Sequence, residues 1–370
     1  MAEHYSRFDY KTIIFLFVSV FVYIRCMPKN IVILSDGTGQ KGGIGAPTNV
    51  YRLFNMLEAR TDRQIVYYDP GIGTEVNKIW SAITGRGFAK NILECYRFIF
   101  EHYQAGDKVF LFGFSRGAAT VRSLSGFIHL FGVLPQSRPD LIDEAFSIYK
   151  ITDEKRRKQK AEEFIAKHHT MWLKIRFLGV WDTVAALGFP NPFISALADR
   201  FVPHKFHSFS LSDSVEFARH AISIDDKRKT FHPVLWDSLK DDDGTRLKQV
   251  WFAGVHTDVG GGYPEGDLAG FSFQWMLREA REKGIHIYEK SKEWEKFGKQ
   301  TFDIEGQMHN EQAKFPGSIF TSEVRKWNVG THGPIHIHSS VLNRKRNENN
   351  SDHPPYEPWV LKIEKRAVVD

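Results

Sequence analysis

Apolar residues in this chain come in short unbroken runs separated by longer stretches of helical spacing. NIVILS (residues 30–35) is the first such run, and DGTG closes it. A continuous run of this length, rather than an alternating one, predicts a parallel strand buried on both faces. Helical periodicity follows over residues 48–60 (TNVYRLFNMLEAR), then a short strand at 64–68 (QIVYY) and a loop at 69–74 (DPGIGT). A helix over about residues 88–104 leads into the strand KVFLF from Lys108, and another runs from Ser115 to about Phe131. A charged helical segment is expected over 138–168, a buried strand at 173–180 (LKIRFLGV), and a helix running into a strand at 214–224 (SVEFARHAISI). KQVWFAGV (248–255) is the next buried strand, and 268–282 (LAGFSFQWMLREARE) has the spacing of an amphipathic helix. Strands alternating with helices predict an α/β fold whose mostly parallel central sheet carries helices on both faces.

The pattern weakens beyond about residue 285, where short mixed segments precede a polar loop (NRKRNENNSDHPP) and a final strand-like PWVLKIEK. A single domain over 27–370 is the expectation, with 185–247 partly an insertion. Residues 1–26 stand apart. Their apolar run 12–24 (TIIFLFVSVFVYI) follows Arg7 and Lys11 like the core of a signal peptide, and falls short of the ~20 residues of a spanning helix. No small-x-small cleavage site follows. Signal anchor, cleaved signal and a start codon truly at Met27 are all open. The first two imply membrane attachment or export, the third a cytoplasmic enzyme.

Composition changes this picture little. The 370 residues carry a formal net charge of +6, with basic runs at 154–160 (EKRRKQK) and 343–347 (NRKRN) that read as solvated surface. No zinc-finger or RNA-binding signature is present, so nucleic acid is not an expected partner. Two cysteines, Cys26 and Cys95, offer neither a disulfide framework nor a cysteine zinc site.

The chemistry concentrates at GFSRGAAT (113–120). A serine on a tight strand-to-helix turn exposes its hydroxyl above the sheet, and flanking glycines, here Gly113 and Gly117, let strand and helix approach. The pentapeptide alone is weak, since a chain with 29 glycines yields roughly 0.14 matches by chance. Its position between a predicted strand and a predicted helix makes Ser115 the candidate nucleophile.

A serine needs a base, and the base needs a carboxylate to hold its tautomer. Asp182 follows the strand LKIRFLGV, and His256 follows QVWFAGV, giving the chain order Ser115, Asp182, His256. Each falls where a strand's carboxyl end should be. His220 and His232 are weaker candidates for the base. Asp258 competes with Asp182 as the orienting acid, or supports the glycine loop VGGGY (259–263), whose glycines suggest positive φ or close approach of a substrate. For the oxyanion hole, the backbone N–H of Arg116 is one expected donor and that of Gly37 or Thr38 the other, with Asp36 bracing their loop. Two rivals fail: the haloacid-dehalogenase signature would need an Asp where Leu34 stands, and neither a P-loop lysine nor a GxGxxG fingerprint is present.

At these residues the chain resembles the α/β-hydrolase catalytic domain of type VI secretion phospholipase effectors. LSDGTG (34–39), PGIGT (70–74), GFSRGAAT, FLGVWDTVAALG (177–188), FARHAISIDDKR (217–228), FHPVLW (231–236), VWFAGVHTDVGGGY (250–263) and LAGFSFQWML (268–277) carry the resemblance. It implies a triad of Ser115, Asp182 and His256, an esterase acting on phospholipid, and no metal or organic cofactor. Gly39-Gln40 departs from the Trp-Asn or Gly-Asn often found after DGT in the family, and the apolar N-terminal extension is not a usual feature. The apolar segment 187–201 (LGFPNPFISALADRF), with Phe193 and Ile194, is a candidate lid or acyl-binding wall, with an ordinary core helix as its alternative; a membrane surface is a candidate partner beside the lipid or ester substrate. The functional expectation is a serine hydrolase of lipid esters. An esterase or thioesterase on a soluble substrate, and an idle membrane-tethered scaffold, are the alternatives.

Overall fold

The apolar runs assemble side by side in a computed structural model that describes residues 27–37, 45–71, 86–184, 210–240, 242–298, 300–313, 321–346 and 355–370. Strands β1 (Asn30–Ser35), β2 (Gln64–Asp69), β3 (Lys108–Phe114), β4 (Ile175–Trp181), β5 (Ala218–Ser223), β6 (Leu247–Phe252), β7 (Ile335–His338) and β8 (Arg366–Val369) form one sheet in the order β2-β1-β3-β4-β5-β6-β7-β8. Every pairing is parallel. All residues of β1 and β5 are buried, and β3 exposes only Lys108. Burial on both faces is why these strands read as unbroken apolar runs.

Among the described residues the α-helices are α1 (Asn49–Met56), α2 (Arg86–His102), α3 (Arg116–Phe131), α4 (Leu141–Tyr149), α5 (Glu154–His168), α6 (His256–Gly260), α7 (Asp267–Glu282), α8 (Val329–His332) and α9 (Ser339–Arg346). On one face α1 and α7 enclose a core containing Leu53, Phe112, Phe177, Trp181 and Met276. On the other, α2 to α5 enclose Ile99, Leu111, Leu124, Phe127 and Phe164. Cys95 lies buried in this second core as a free thiol. The α/β architecture is the one the hydrophobic pattern predicts.

Some local expectations change. Among the described residues no helix occupies 214–217 ahead of β5: the Ser214 carbonyl accepts from the Ile175 N–H (2.7 Å), and the Glu216 N–H donates back to the Ile175 carbonyl (2.9 Å). Pairing with the neighbouring strand overrides short helical spacing there. His220 is therefore a strand residue and not a helical one. The charged segment 138–168 divides into α4 and α5, where the Asp153 carboxylate caps α5 by accepting from the Arg156 N–H at 2.7 Å. The terminal PWVLKIEK is a single 3-10 turn (Trp359–Lys362) followed by β8. The proposed lid, 187–201, lies outside the described residues.

From β1 the chain steps outward to β2, then crosses back to β3 on the other side of β1. Connections leaving in opposite directions open a crevice at the carboxyl ends of the central strands. The register sets those ends nearly level, pairing Ser35 with Gly113, Phe114 with Trp181, Trp181 with Ala221 and Ser223 with Phe252.

Candidate active site

Ser115 sits at the turn between β3 and α3 with φ 58° and ψ −121°. A non-glycine residue there costs on the order of 1 kcal/mol and persists only where its surroundings hold it. They do: its N–H donates to the Trp181 carbonyl at 3.1 Å. A Cβ on Gly113 would lie 2.5 Å from the Gly117 carbonyl oxygen, and one on Gly117 would lie 2.1 Å from that of Ser35. The flanking glycines are thus required by contact, since β1, β3 and the first turn of α3 meet at this point.

Three side chains meet above the sheet. His256 Nε2 lies 2.8 Å from Ser115 Oγ, and its Nδ1 lies 2.6 Å from Asp182 Oδ2. A carboxylate can only accept, so Nδ1 carries the proton, leaving Nε2 to accept from the serine hydroxyl. Asp182 and His256 are buried, and Ser115 is 9% exposed. Asp182 has φ 36°, another strained position, and is fixed by its N–H donating to Ala221 at 2.7 Å. The Phe114 and Phe231 rings pack against the imidazole at centroid distances of 4.7 and 5.2 Å.

The rival residues go elsewhere. His220 is fully buried; its Nε2 accepts from the Thr183 N–H at 3.1 Å and its Nδ1 faces Gln249 Oε1 at 3.4 Å. Burial, with help from the Arg122 charge, pushes His220 down to about 3, so it is a neutral hydrogen-bonding core residue. The His232 Nε2 faces the Glu323 carbonyl at 3.0 Å. Asp258 accepts from the Val255 N–H (3.0 Å) and from His309, whose Nδ1 lies at 2.6 Å. It braces the turn into α6 and the glycine loop, in which Gly261 and Gly262 have φ of 80° and 124°.

The expected oxyanion donors fare unequally. Arg116 is the first residue of α3, so its N–H has no partner within the helix. Gly37 packs beside Ser115, so closely that a Cβ on it would fall 3.4 Å from Ser115 Cβ, but its N–H donates to Asp36 Oδ1 at 2.7 Å. In this structure the Gly37 N–H is thus engaged by the Asp36 carboxylate rather than free to meet an oxyanion. Thr38 lies outside the described residues. Asp36 does brace its loop, accepting from Thr48 Oγ1 (2.6 Å) and Tyr68 OH (2.8 Å) as well as Gly37. Burial raises Asp36 to about 6 against the pull of these hydrogen bonds.

Sequence reasoning missed the groups behind Asp182. Arg325 donates to both carboxylate oxygens, Nη1 to Oδ1 at 2.6 Å and Nη2 to Oδ2 at 2.9 Å. The Ser223 N–H adds a bond to Oδ1 at 2.9 Å. Burial would raise Asp182, but the Arg325 charge and the hydrogen bonds from His256 and Arg325 outweigh it and hold the carboxyl well below the usual range. Asp226 accepts from the His256 backbone N–H at 3.2 Å and pairs with Arg228 at 2.6 Å.

A serine, an imidazole and a carboxylate thus lie hydrogen-bonded in series at the carboxyl edge of the parallel sheet of an α/β protein. The family model of the type VI secretion phospholipase effector Tle1-like catalytic domain matches residues 29–279, and the chain belongs to this family. An uncharacterized protein of Saccharomyces cerevisiae is 29% identical over 236 residues, 57% of this chain and 33% of that relative. The chain thus spans about a third of that relative's length. Among solved structures, an uncharacterized protein from Pseudomonas aeruginosa is 18% identical with a TM-score of 0.41, covering 76% of this chain and 50% of its own. A Tle1 effector, solved bound to the VgrG spike of the type 6 secretion system, is 19% identical with a TM-score of 0.37, covering 65% and 52%.

Proposed function

We propose that this protein is a serine hydrolase that cleaves carboxylic ester bonds of phospholipids or related lipid esters through a covalent acyl-enzyme. The observation that carries this reading is the hydrogen-bonded series from Ser115 Oγ to His256 Nε2 (2.8 Å) and from His256 Nδ1 to Asp182 Oδ2 (2.6 Å). Membership of a phospholipase effector family supports a lipid ester as substrate.

In this mechanism Ser115 Oγ attacks the ester carbonyl carbon as His256 Nε2 takes the hydroxyl proton. The carbonyl electron pair moves to oxygen, and the Arg116 N–H donates to the resulting oxyanion. As the tetrahedral intermediate collapses, the carbon–oxygen bond to the leaving alcohol breaks, and that oxygen takes the proton from His256. Water then attacks the acyl-serine carbonyl, giving a proton to His256; the acyl–Oγ bond breaks as His256 returns that proton to Ser115 Oγ, which releases the acid and restores the enzyme. Asp182 stabilises the imidazolium in both halves without itself becoming protonated.

A panel of phospholipids and short-chain esters incubated with wild type and with S115A tests the reading. Acid release by wild type and none by S115A is the expected result. Equal release by both, or none from a folded wild type that also fails to react with a fluorophosphonate, would overturn it.

A further inference from the structure

The guanidinium of Arg325 is fully buried and spends all its donors on the wall behind the imidazole. Besides the two oxygens of Asp182, Nη1 donates to the Ser223 carbonyl (2.8 Å), Nη2 to the Phe231 carbonyl (2.7 Å) and Nε to the Asp226 carbonyl (3.1 Å). The residues around it explain how it gets there. The Lys229 N–H donates to the Thr321 carbonyl and the Glu323 N–H to the Lys227 carbonyl, so residues 321–323 lie antiparallel against 227–229. This short ladder delivers Arg325 beneath Asp182 from a segment beyond the 29–279 match.

A fork-to-fork guanidinium contact fixes a carboxylate in plane and angle, which a single donor cannot do. It also cancels charge. Here a permanent cation shares both oxygens of the carboxylate that accepts from the imidazole.

We propose that Arg325 is a positioning residue for the hydrolysis: its two parallel donors lock the Asp182 carboxylate in the plane and angle at which it meets His256 Nδ1, and its charge offsets that of the carboxylate beside the imidazole. The proposal rests on the reading of Ser115, His256 and Asp182 as the hydrolytic machinery. The other charged and titratable groups around the imidazole are themselves engaged. Asp226 is paired with Arg228, whose guanidinium lies 3.7 Å over the Phe231 ring and also meets Glu311 at 3.3 Å. Asp258 is held by His309. His220 is held neutral by burial. His256 therefore sits against a wall in which Asp182 is matched by Arg325 and Asp226 by Arg228.

The experiment is the pH dependence of kcat/KM on a soluble short-chain ester for wild type, R325M and R325K, with fluorophosphonate titration of active sites. Loss of the cation in R325M is expected to move the acid limb up by about one pH unit, since an uncompensated carboxylate favours the imidazolium. R325K keeps the charge but cannot hold both oxygens, so its acid limb stays in place while kcat falls roughly tenfold at unchanged KM. A merely structural arginine would lower the number of titratable sites and leave the acid limb of those remaining unmoved; that result in R325M would overturn the proposal. Should R325M not fold, R325K decides, and wild-type kcat per titrated site in R325K would overturn it. A wild type that neither labels nor turns over removes the hydrolase reading as well, whereas an active wild type with an unmoved R325M removes this inference alone.

Discussion

Two buried guanidinium–carboxylate pairs sit at opposite edges of the sheet, and they have different work to do. At the amino edge Arg219 of β5 meets Glu279 of α7 at 2.6 Å, with Lys248 of β6 sharing the same carboxylate at 2.8 Å. Its remaining donors go to the carbonyls of Ala218, Thr245 and Arg246. Every partner there is a structural neighbour, and the pair pins the start of two strands to a helix. At the carboxyl edge Arg325 likewise meets a buried carboxylate, here with two donors on the two oxygens of Asp182, but that carboxylate also accepts from an imidazole within reach of a serine hydroxyl. Chemistry of the contact is therefore no guide to its role; what the carboxylate does with its remaining lone pairs is.

The largest effect falls on the relay itself: S115A or H256A should lower kcat/KM by at least about 10³-fold. S115A should leave the melting temperature nearly unchanged, whereas H256A also lowers it by stripping a donor from buried Asp182. D182N combines both kinds of damage. It should cost about 10⁴-fold in kcat by favouring the wrong imidazole tautomer, and about 3 kcal/mol in unfolding free energy by stranding Arg325 in the interior. E279Q should reproduce only the second loss, about 3 kcal/mol by denaturant unfolding, with kcat per titrated active site unchanged. A fall in kcat for E279Q would erase the distinction between the two edges.

The smallest effect concerns Asp36, the carboxylate that occupies the Gly37 N–H. Burial raises it from 3.8 to about 6, so the folded state holds its proton more tightly than the unfolded chain. The stability this confers is fully present below pH 4 and is lost as pH rises through 6. Between about pH 4 and pH 7 the unfolding free energy of wild type should fall by roughly 2 kcal/mol relative to D36N. Groups such as Asp182, which titrate in the opposite sense, are common to both proteins and cancel in this difference.

Much of this arrangement was legible in the sequence because the central strands are buried on both faces and end in punctuated loops. Ser115, Asp182 and His256 each follow such a run, so their approach to one sheet edge can be read from strand order alone. Arg325 could not be read that way. It arrives in an irregular segment without hydrophobic periodicity, placed by a three-residue ladder that depends on tertiary contacts. The engagement of the Gly37 N–H was equally hidden, because only coordinates show whether Asp36 turns its carboxylate toward its own backbone. His220 misled for a related reason: its helical spacing is local, while its strand conformation is imposed by β4 and β6.

The central claim is that Ser115 is made nucleophilic by His256. Treatment of wild type, S115A and H256A with a fluorophosphonate, followed by intact mass and peptide mapping, tests it most directly. One adduct on Ser115 in wild type, absent from S115A and strongly slowed in H256A, is the predicted result. A folded wild type that takes up no adduct, or takes it up at another residue, would contradict the account.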